Sequence, residues 1–194
     1  MPELQRLRAD HAPALLAFEQ ENRAFFAASI PDRGDDYFAH FAARHAALLA
    51  EQAAGVCHFH VLVNTDAGAE GEVLGRFNLV NVADGSAELG FRIAEKATGR
   101  GLATATVRQI CTLAATEYGL TTLRAAAALD NTASRTVLTR TGFLPTGEEI
   151  LLNDRPGLGY VRSTADEVWV ATDQAPHSAR FKTGRAYPHV ARRS

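Results

Sequence analysis

The sequence predicts a mixed α/β (α+β) domain: a mostly antiparallel sheet that includes one parallel strand pair. Two observations carry the prediction. Segments 56–63, 72–82 and 87–94 read as strands, the last with Leu89, Phe91 and Ile93 at alternate positions, and polar turns join them into an antiparallel meander. The third segment is followed by a glycine-bearing turn, a helix over 101–118 and a further strand over 122–127. Such a strand–helix–strand unit returns the chain parallel to a strand of the same sheet.

The elements follow in order. Glu3 to Arg8 sets Leu4 and Leu7 among polar residues, an edge-strand candidate. Asp10 is placed to N-cap a helix through Ala12–Phe18, with Pro13 tolerated in its first turn. Pro31-Asp32-Arg33-Gly34 breaks the chain. Asp35 or Asp36 then opens a helix to about Ala54, with Phe38, Phe41, His45, Leu48 and Gln52 on one face and Gly55 as its stop. In the first meander strand Phe59 and Val61 share a face; residues 64–71 form a polar turn. Asp84-Gly85 is a strong hairpin dipeptide between the second and third strands. Leu89, Phe91 and Ile93 mark the inward face of the third.

The helix over 101–118 places Ala103, Val107, Ile110 and Ala114 on one face, and Gly119 ends it. Thr122–Ala127 is rich in alanine, which favours helix. A strand is predicted there nonetheless, because Gly119 has just ended a helix and the strand at 87–94 needs a partner. Asn131 caps a helix to Thr141, with Val137 and Leu138 inward and Gly142 as its stop. A strand runs from Phe143 to about Leu152, a turn-rich loop covers 153–159, and a last strand is predicted over 166–172. Residues 173–194 lose periodicity, so a domain over 1–172 and a tail over 173–194 are expected.

Composition narrows the function. The chain has 194 residues, 46% of them apolar, enough for one domain with a substantial core. Its 20 basic and 22 acidic residues give a net charge of −2, which argues against a nucleic-acid partner. Neither a membrane-spanning run nor a secretory signal is visible, and a cytoplasmic setting is expected. Cys57 and Cys111 lack metal-ligand spacing, sit in apolar segments and are expected to be buried thiols, with no metal site.

The stretch from Glu88 to Ala103 is where chemistry concentrates. Gly99 and Gly101 feed the start of a helix, and a glycine loop at a helix N-terminus suits an anion. The dinucleotide fingerprint fails at Thr104, and the P-loop pattern is absent. On spacing alone, a phosphate site and an ordinary strand-to-helix turn both remain open.

Thr98-Gly99-Arg100-Gly101-Leu102-Ala103 resembles the acyl-CoA pyrophosphate loop of the GNAT superfamily of N-acyltransferases. That loop has Gln or Arg first, Gly fourth, and Gly or Ala sixth. Gly101 and Ala103 match; Thr98 departs from the first position. Asp130-Asn131-Thr132-Ala133-Ser134-Arg135 leading to Gly142-Phe143 resembles a second element of the same superfamily. The Glu-Leu-Gly-Phe run at 88–91 and the Asn-x-x-Ser form are most similar to the RimJ/RimL-type branch of ribosomal-protein N-terminal acetyltransferases. The resemblance covers about residues 3–172.

The resemblance implies a GNAT-like twisted sheet, helices on both faces, and a splayed parallel pair at 87–94 and 122–127. It implies acetyl-CoA as cosubstrate, its pantetheine arm lying along the strand of Phe91 and Ile93. Its pyrophosphate would sit on Thr98, Gly99, Arg100, Gly101, Leu102 and Ala103, with Arg100 and Lys96 as nearby charges and Asn131 as a further contact. Glu88 is implied as the base for the attacking amine, with His58 and His60 as alternates. Ser134 is implied as the group near the coenzyme sulfur. Many members carry a Tyr seven residues after the Asn; here that position is Leu138. The expected partner is an amine acceptor, a small molecule or a protein N-terminus, with a pocket from helix 36–54, the 64–71 turn and the 153–165 loop. The protein would act as a monomer or homodimer. A non-catalytic acyl-CoA-binding module and a nucleotide binder using the same loop are the competing readings.

Overall fold

The computed structural model describes residues 1–67 and 71–165. The strand expected over 166–172 and the tail 173–194 lie outside the described residues, as do residues 68–70 of the expected turn. Among the described residues, seven strands form one sheet: β1 (Pro2–Arg6), β2 (His58–Asn64), β3 (Glu72–Ala83), β4 (Ser86–Ile93), β5 (Thr122–Ala128), β6 (Leu144–Leu152) and β7 (Arg155–Ser163). Their order is β1-β2-β3-β4-β5-β7-β6, and the pairings are antiparallel except β4 with β5. The helices are α1 (Ala12–Glu21), α2 (Arg23–Ala27), α3 (Gly34–Ala39), α4 (Phe41–Ala53), α5 (Leu102–Thr116) and α6 (Thr132–Arg140).

The meander forms as expected. Asp84 and Gly85 have φ of 49° and 70°, the left-handed pair a tight hairpin turn requires, and Ala83 faces Ser86 across it. The alanine-rich segment is a strand despite its helical propensity. Ala125 and Ala127 are buried, and β5 is paired on both sides at its start, so tertiary pairing overrides the local preference.

Four expectations need correction. Asp10 does not cap α1, which follows His11 with no side-chain cap, and its carboxylate accepts from Arg8 instead. The helix expected from Asp35 or Asp36 to Ala54 is two helices, α3 and α4, broken at His40. A short helix, α2, follows α1 where none was predicted. The segment 153–159 is not a loop. Asn153 and Asp154, with φ of 50° and 63°, make a tight hairpin turn, and β7 begins at Arg155. Glycines disguised β7, yet the packing demands them. A Cβ on Gly157 would lie 2.9 Å from Leu152 Cδ1 and 3.0 Å from the Ala127 carbonyl oxygen. A Cβ on Gly159 would lie 2.9 Å from Thr146 Oγ1.

Sheet face and helix layer meet through residues read as inward. Phe77, Leu79, Val107, Ile110, Leu123 and Leu138 are fully buried. Cys57 and Cys111 are buried thiols, and burial pushes the Cys57 thiol up. Buried polar side chains staple the elements. Gln52 Nε2 donates to the Leu7 carbonyl (2.9 Å) and its Oε1 accepts from the Phe59 amide (3.1 Å), fixing α4 on β2. Asn22 Oδ1 accepts from the Glu95 amide at 2.8 Å, tying the α1–α2 joint to the end of β4.

His58 and His60 belong to this framework. His60 Nε2 and the Tyr118 hydroxyl are hydrogen-bonded at 2.8 Å, and the His58 ring stacks on Tyr118 with centroids 3.7 Å apart. Burial, with Arg6 and His58 nearby, lowers the His60 pKa to about 4 from 6.5. The unfolded chain therefore takes up this proton first, and stability falls as pH drops from about 6.5 to about 4. The loss from this group amounts to about 3 kcal/mol when complete. Urea titrations at pH 7.5 and pH 4.5 check it: His60→Gln should lose less stability between the two than the unaltered chain.

Candidate functional site

β4 and β5 are paired from Ser86–Thr122 to Leu89–Ala125 and no further, although β4 runs on to Ile93 and β5 to Ala128. Each continues to be held on its outer side. Gly75 of β3 pairs Ile93, and Gly157 of β7 pairs Ala128. The two strands are drawn apart, and the main-chain groups of Gly90–Ile93 that face β5 have no strand partner. Such groups need a hydrogen-bonding partner from elsewhere. A cleft of about 660 Å³ occupies this gap.

The glycine loop closes one end. A single turn over Glu95–Ala97 follows β4, and Thr98 Oγ1 donates to the Glu95 carbonyl at 2.7 Å. Gly99 and Gly101 have φ of 71° and 75°, and a Cβ on either would meet nothing within 4 Å. The chain thus turns left-handed twice and leaves the space before it open. α5 starts at once after Gly101 with no side-chain cap, so its leading amides have no partner within the helix. Thr98, Gly99, Gly101, Leu102 and Ala103 all line the cleft, as do Phe91 and Ile93.

α6 supplies the opposite wall. Asn131 Oδ1 accepts from the Ser134 amide at 3.0 Å, an N-cap, while its side-chain nitrogen donates to no described residue. The Ser134 hydroxyl makes no hydrogen bond to a described residue, unlike Thr136 and Thr139, which bond back to the carbonyls of Thr132 and Arg135. Asn131 and Ser134 both line the cleft, whereas Leu138 is in the core.

The remaining candidates separate. Glu88 is exposed on β4, paired with Val80 and Arg124. It is not a wall residue of the cleft, but it shares a sheet face with Gly90 and Arg92, which are. Arg100 is exposed and is not a wall residue of the cleft. Lys96 pairs with Glu72 and with Glu21, the latter at 3.6 Å, so its charge is engaged elsewhere. His58 and His60 lie under Tyr118, away from the cleft. Of the expected acceptor-pocket elements, helix 36–54, the described part of 64–71, and 153–165 contribute no cleft residue among those described.

Sequence reasoning missed the other walls. Phe25, Phe26, Ser29 and Ile30, from α2 and the turn after it, line the cleft. Arg76 and Asn78 of β3 and Arg92 of β4 also do, as does Arg140 at the end of α6. The available signal was Arg76 and Arg92 themselves, charged residues set beside apolar neighbours within strands. Arg76 Nη1 lies 3.3 Å from one oxygen of buried Glu19, and Arg92 Nη1 lies 3.2 Å from the other. Burial, together with Arg33 and Arg76, lowers the Arg92 pKa to about 10, against the pull of Glu19.

The family described as "Acetyltransferase (GNAT) domain" matches residues 3–144. No curated protein matches the sequence. Solved structures share the fold. A ribosomal-protein-S5-alanine acetyltransferase from Vibrio fischeri superposes with a TM-score of 0.78 at 17% identity, covering 85% of this chain and 94% of its own. RimJ of Mycobacterium smegmatis, in complex with CoA-disulfide, gives 0.71 at 23% identity, covering 87% and 88%. A chimeric spermidine N-acetyltransferase SpeG from Vibrio cholerae and hSSAT gives 0.70 at 14%, covering 86% and 98%.

A bulky side chain at the glycine loop tests the site. Gly101→Val forces a β-branched residue into left-handed backbone and fills the open space before α5. It is expected to weaken coenzyme A binding at least about tenfold in calorimetry, with the circular dichroism spectrum retained.

Proposed function

The chain belongs to the GNAT acetyltransferase family, and on that footing we propose that it moves an acetyl group from acetyl-CoA to a primary amine by direct attack. The single observation that supports this most is the parting of β4 and β5 beside an uncapped helix start. Both halves of the coenzyme find a match there. The pantetheine amides pair with the main chain of Phe91 and Ile93 as an added strand would. The diphosphate takes the amides from Gly99 to Ala103, where the dipole of α5 is positive. Asn131 offers its unused side-chain nitrogen. The cleft volume of about 660 Å³ suits a ligand of this size.

When bound, acetyl-CoA supplies an acyl group activated as a thioester. The chain's own residues handle protons. An ammonium has no lone pair, so the acceptor must be deprotonated before it attacks. Glu88 takes that proton through water, from its position on the cleft-lining face of β4. The departing sulfur carries charge that a hydrogen bond stabilises, and the Ser134 hydroxyl supplies it. A serine hydroxyl is too weak an acid to protonate a thiolate outright, so its role is stabilisation or relay.

Two substitutions separate these roles from binding. Glu88→Gln is expected to lower kcat about 100-fold or more, with the loss shrinking as pH rises and more acceptor is already neutral. Ser134→Ala is expected to lower kcat about tenfold, while calorimetric coenzyme A binding changes little in Glu88→Gln. Thiol release with an amine panel measures both. Full turnover in the two variants would remove them from the mechanism.

A further inference from the structure

The acceptor side of the cleft carries a charge imbalance that the acetyl-transfer reading does not use. Arg76 and Arg92 are directly paired across β3 and β4, so both side chains leave the same sheet face. α1 packs there and brings Glu19 between them. α5 and its glycine loop serve the other face, as the contact of Tyr118 with His60 shows. The arginines therefore sit across the sheet from the diphosphate loop, roofed by α2. The Arg92 guanidinium lies 5.2 Å from the Phe26 ring centroid.

Counting charge, Glu19 is the only carboxylate within 4.0 Å of Arg76 or Arg92 among the described residues. Arg33 also leans on it, at 3.9 Å. Three guanidinium groups thus share one carboxylate. The acidic residues flanking Arg33 in sequence are spent, Asp32 and Asp35 being held by Arg23 at 2.6 Å and 2.7 Å, and Glu72, before Arg76, pairs with Lys96. Arg76 gives its Nε hydrogen to Asn78 Oδ1 at 3.1 Å, yet each guanidinium has five N–H donors. The side chains of Arg76, Arg92 and Glu19 are 5%, 14% and 2% exposed. Water neutralises this excess poorly. Buried positive charge left in excess in a cleft wall suits an anionic partner, whose charge-assisted hydrogen bonds would offset it.

We propose that Arg76 and Arg92 form a carboxylate subsite on the acceptor side of the cleft, so that the amine acetylated is one that carries a carboxylate. This rests on the acetyl-transfer reading above. The planar guanidinium fork suits a carboxylate's two oxygens, and Phe25 and Ile30 add apolar surface to the same cleft. The same surplus disfavours polyamines, whose extra ammonium groups would face like charge. The carboxylate has two sources, a free amino acid or an acidic residue near a peptide N-terminus.

The test compares acceptors that differ only in charge, using the full chain, acetyl-CoA and thiol release. Glutamate is set against the α-amide of glutamine, which carries no carboxylate, a peptide with an acidic second residue against its amide counterpart, and spermidine beside them. The expected kcat/KM ratio of acid to amide is about 10- to 100-fold in one of the two pairs, which identifies the source, with spermidine poorest. Arg92→Gln should bring that ratio near one. Asn78→Asp is nearly isosteric and keeps the acceptor for Arg76 Nε, so it should fold; its added negative charge should also collapse the ratio. Equal rates for acid and amide, a preference for spermidine, or an Arg92→Gln effect confined to the KM for acetyl-CoA would overturn the proposal.

Calorimetry with glutamate and the acidic peptide, without coenzyme, separates this subsite from the chemistry it serves. Carboxylate binding lost in Arg92→Gln, with no thiol release from any amine, would support the subsite and sink acetyl transfer. Thiol release indifferent to acceptor charge, with no carboxylate binding, would do the reverse.

Discussion

The structure depends on an interrupted hydrogen-bond ladder. β4 and β5 are neighbours for the length of Ser86–Leu89 and Thr122–Ala125, then diverge while each stays bonded to its outer partner. Main-chain amides and carbonyls left without partners inside a protein are costly. The remainder of the fold positions this defect rather than repairing it. β3 and β7 hold the two strands apart, α5 starts at the mouth of the gap, and α6 walls it. A ligand that supplies its own amides would restore the ladder, and the proposed function gives the gap that use.

The helix start extends the same logic. α5 has no side-chain cap, and Gly99 and Gly101 take left-handed backbone with open space where a Cβ would stand. α6 makes the contrasting choice: Asn131 caps it, yet only its oxygen is committed. One helix therefore leaves its backbone open to an anion, and the other presents side chains. The Ser134 hydroxyl, unbonded to the described residues, faces the same cleft.

Opposite the loop the chain assembles charge from distant segments. Glu19 comes from α1, Arg33 from the turn before α3, Arg76 from β3 and Arg92 from β4. No local motif links them. The sheet register sets Arg76 beside Arg92, and the packing of α1 on that face supplies the carboxylate. The helix joint that brings α2 over the cleft is fixed by Asn22 bonding the Glu95 amide, just before the glycine loop.

Sequence by itself determined the elements whose signals are local. Short apolar strand patterns marked the meander, Asp84-Gly85 marked its hairpin, and glycine spacing marked the left-handed loop before α5. These are short-range patterns, set by backbone sterics and by which face must be buried. Tertiary structure alone decided the rest. β7 has glycines that read as loop, because a Cβ at Gly157 would strike Leu152 and the Ala127 carbonyl, a constraint visible only when three strands are side by side. The break at His40, the roof from α2 and the pairing of Arg76 with Arg92 likewise depend on contacts between residues far apart in the chain. Their chemistry arises from juxtaposition, and juxtaposition is a property of the packed molecule.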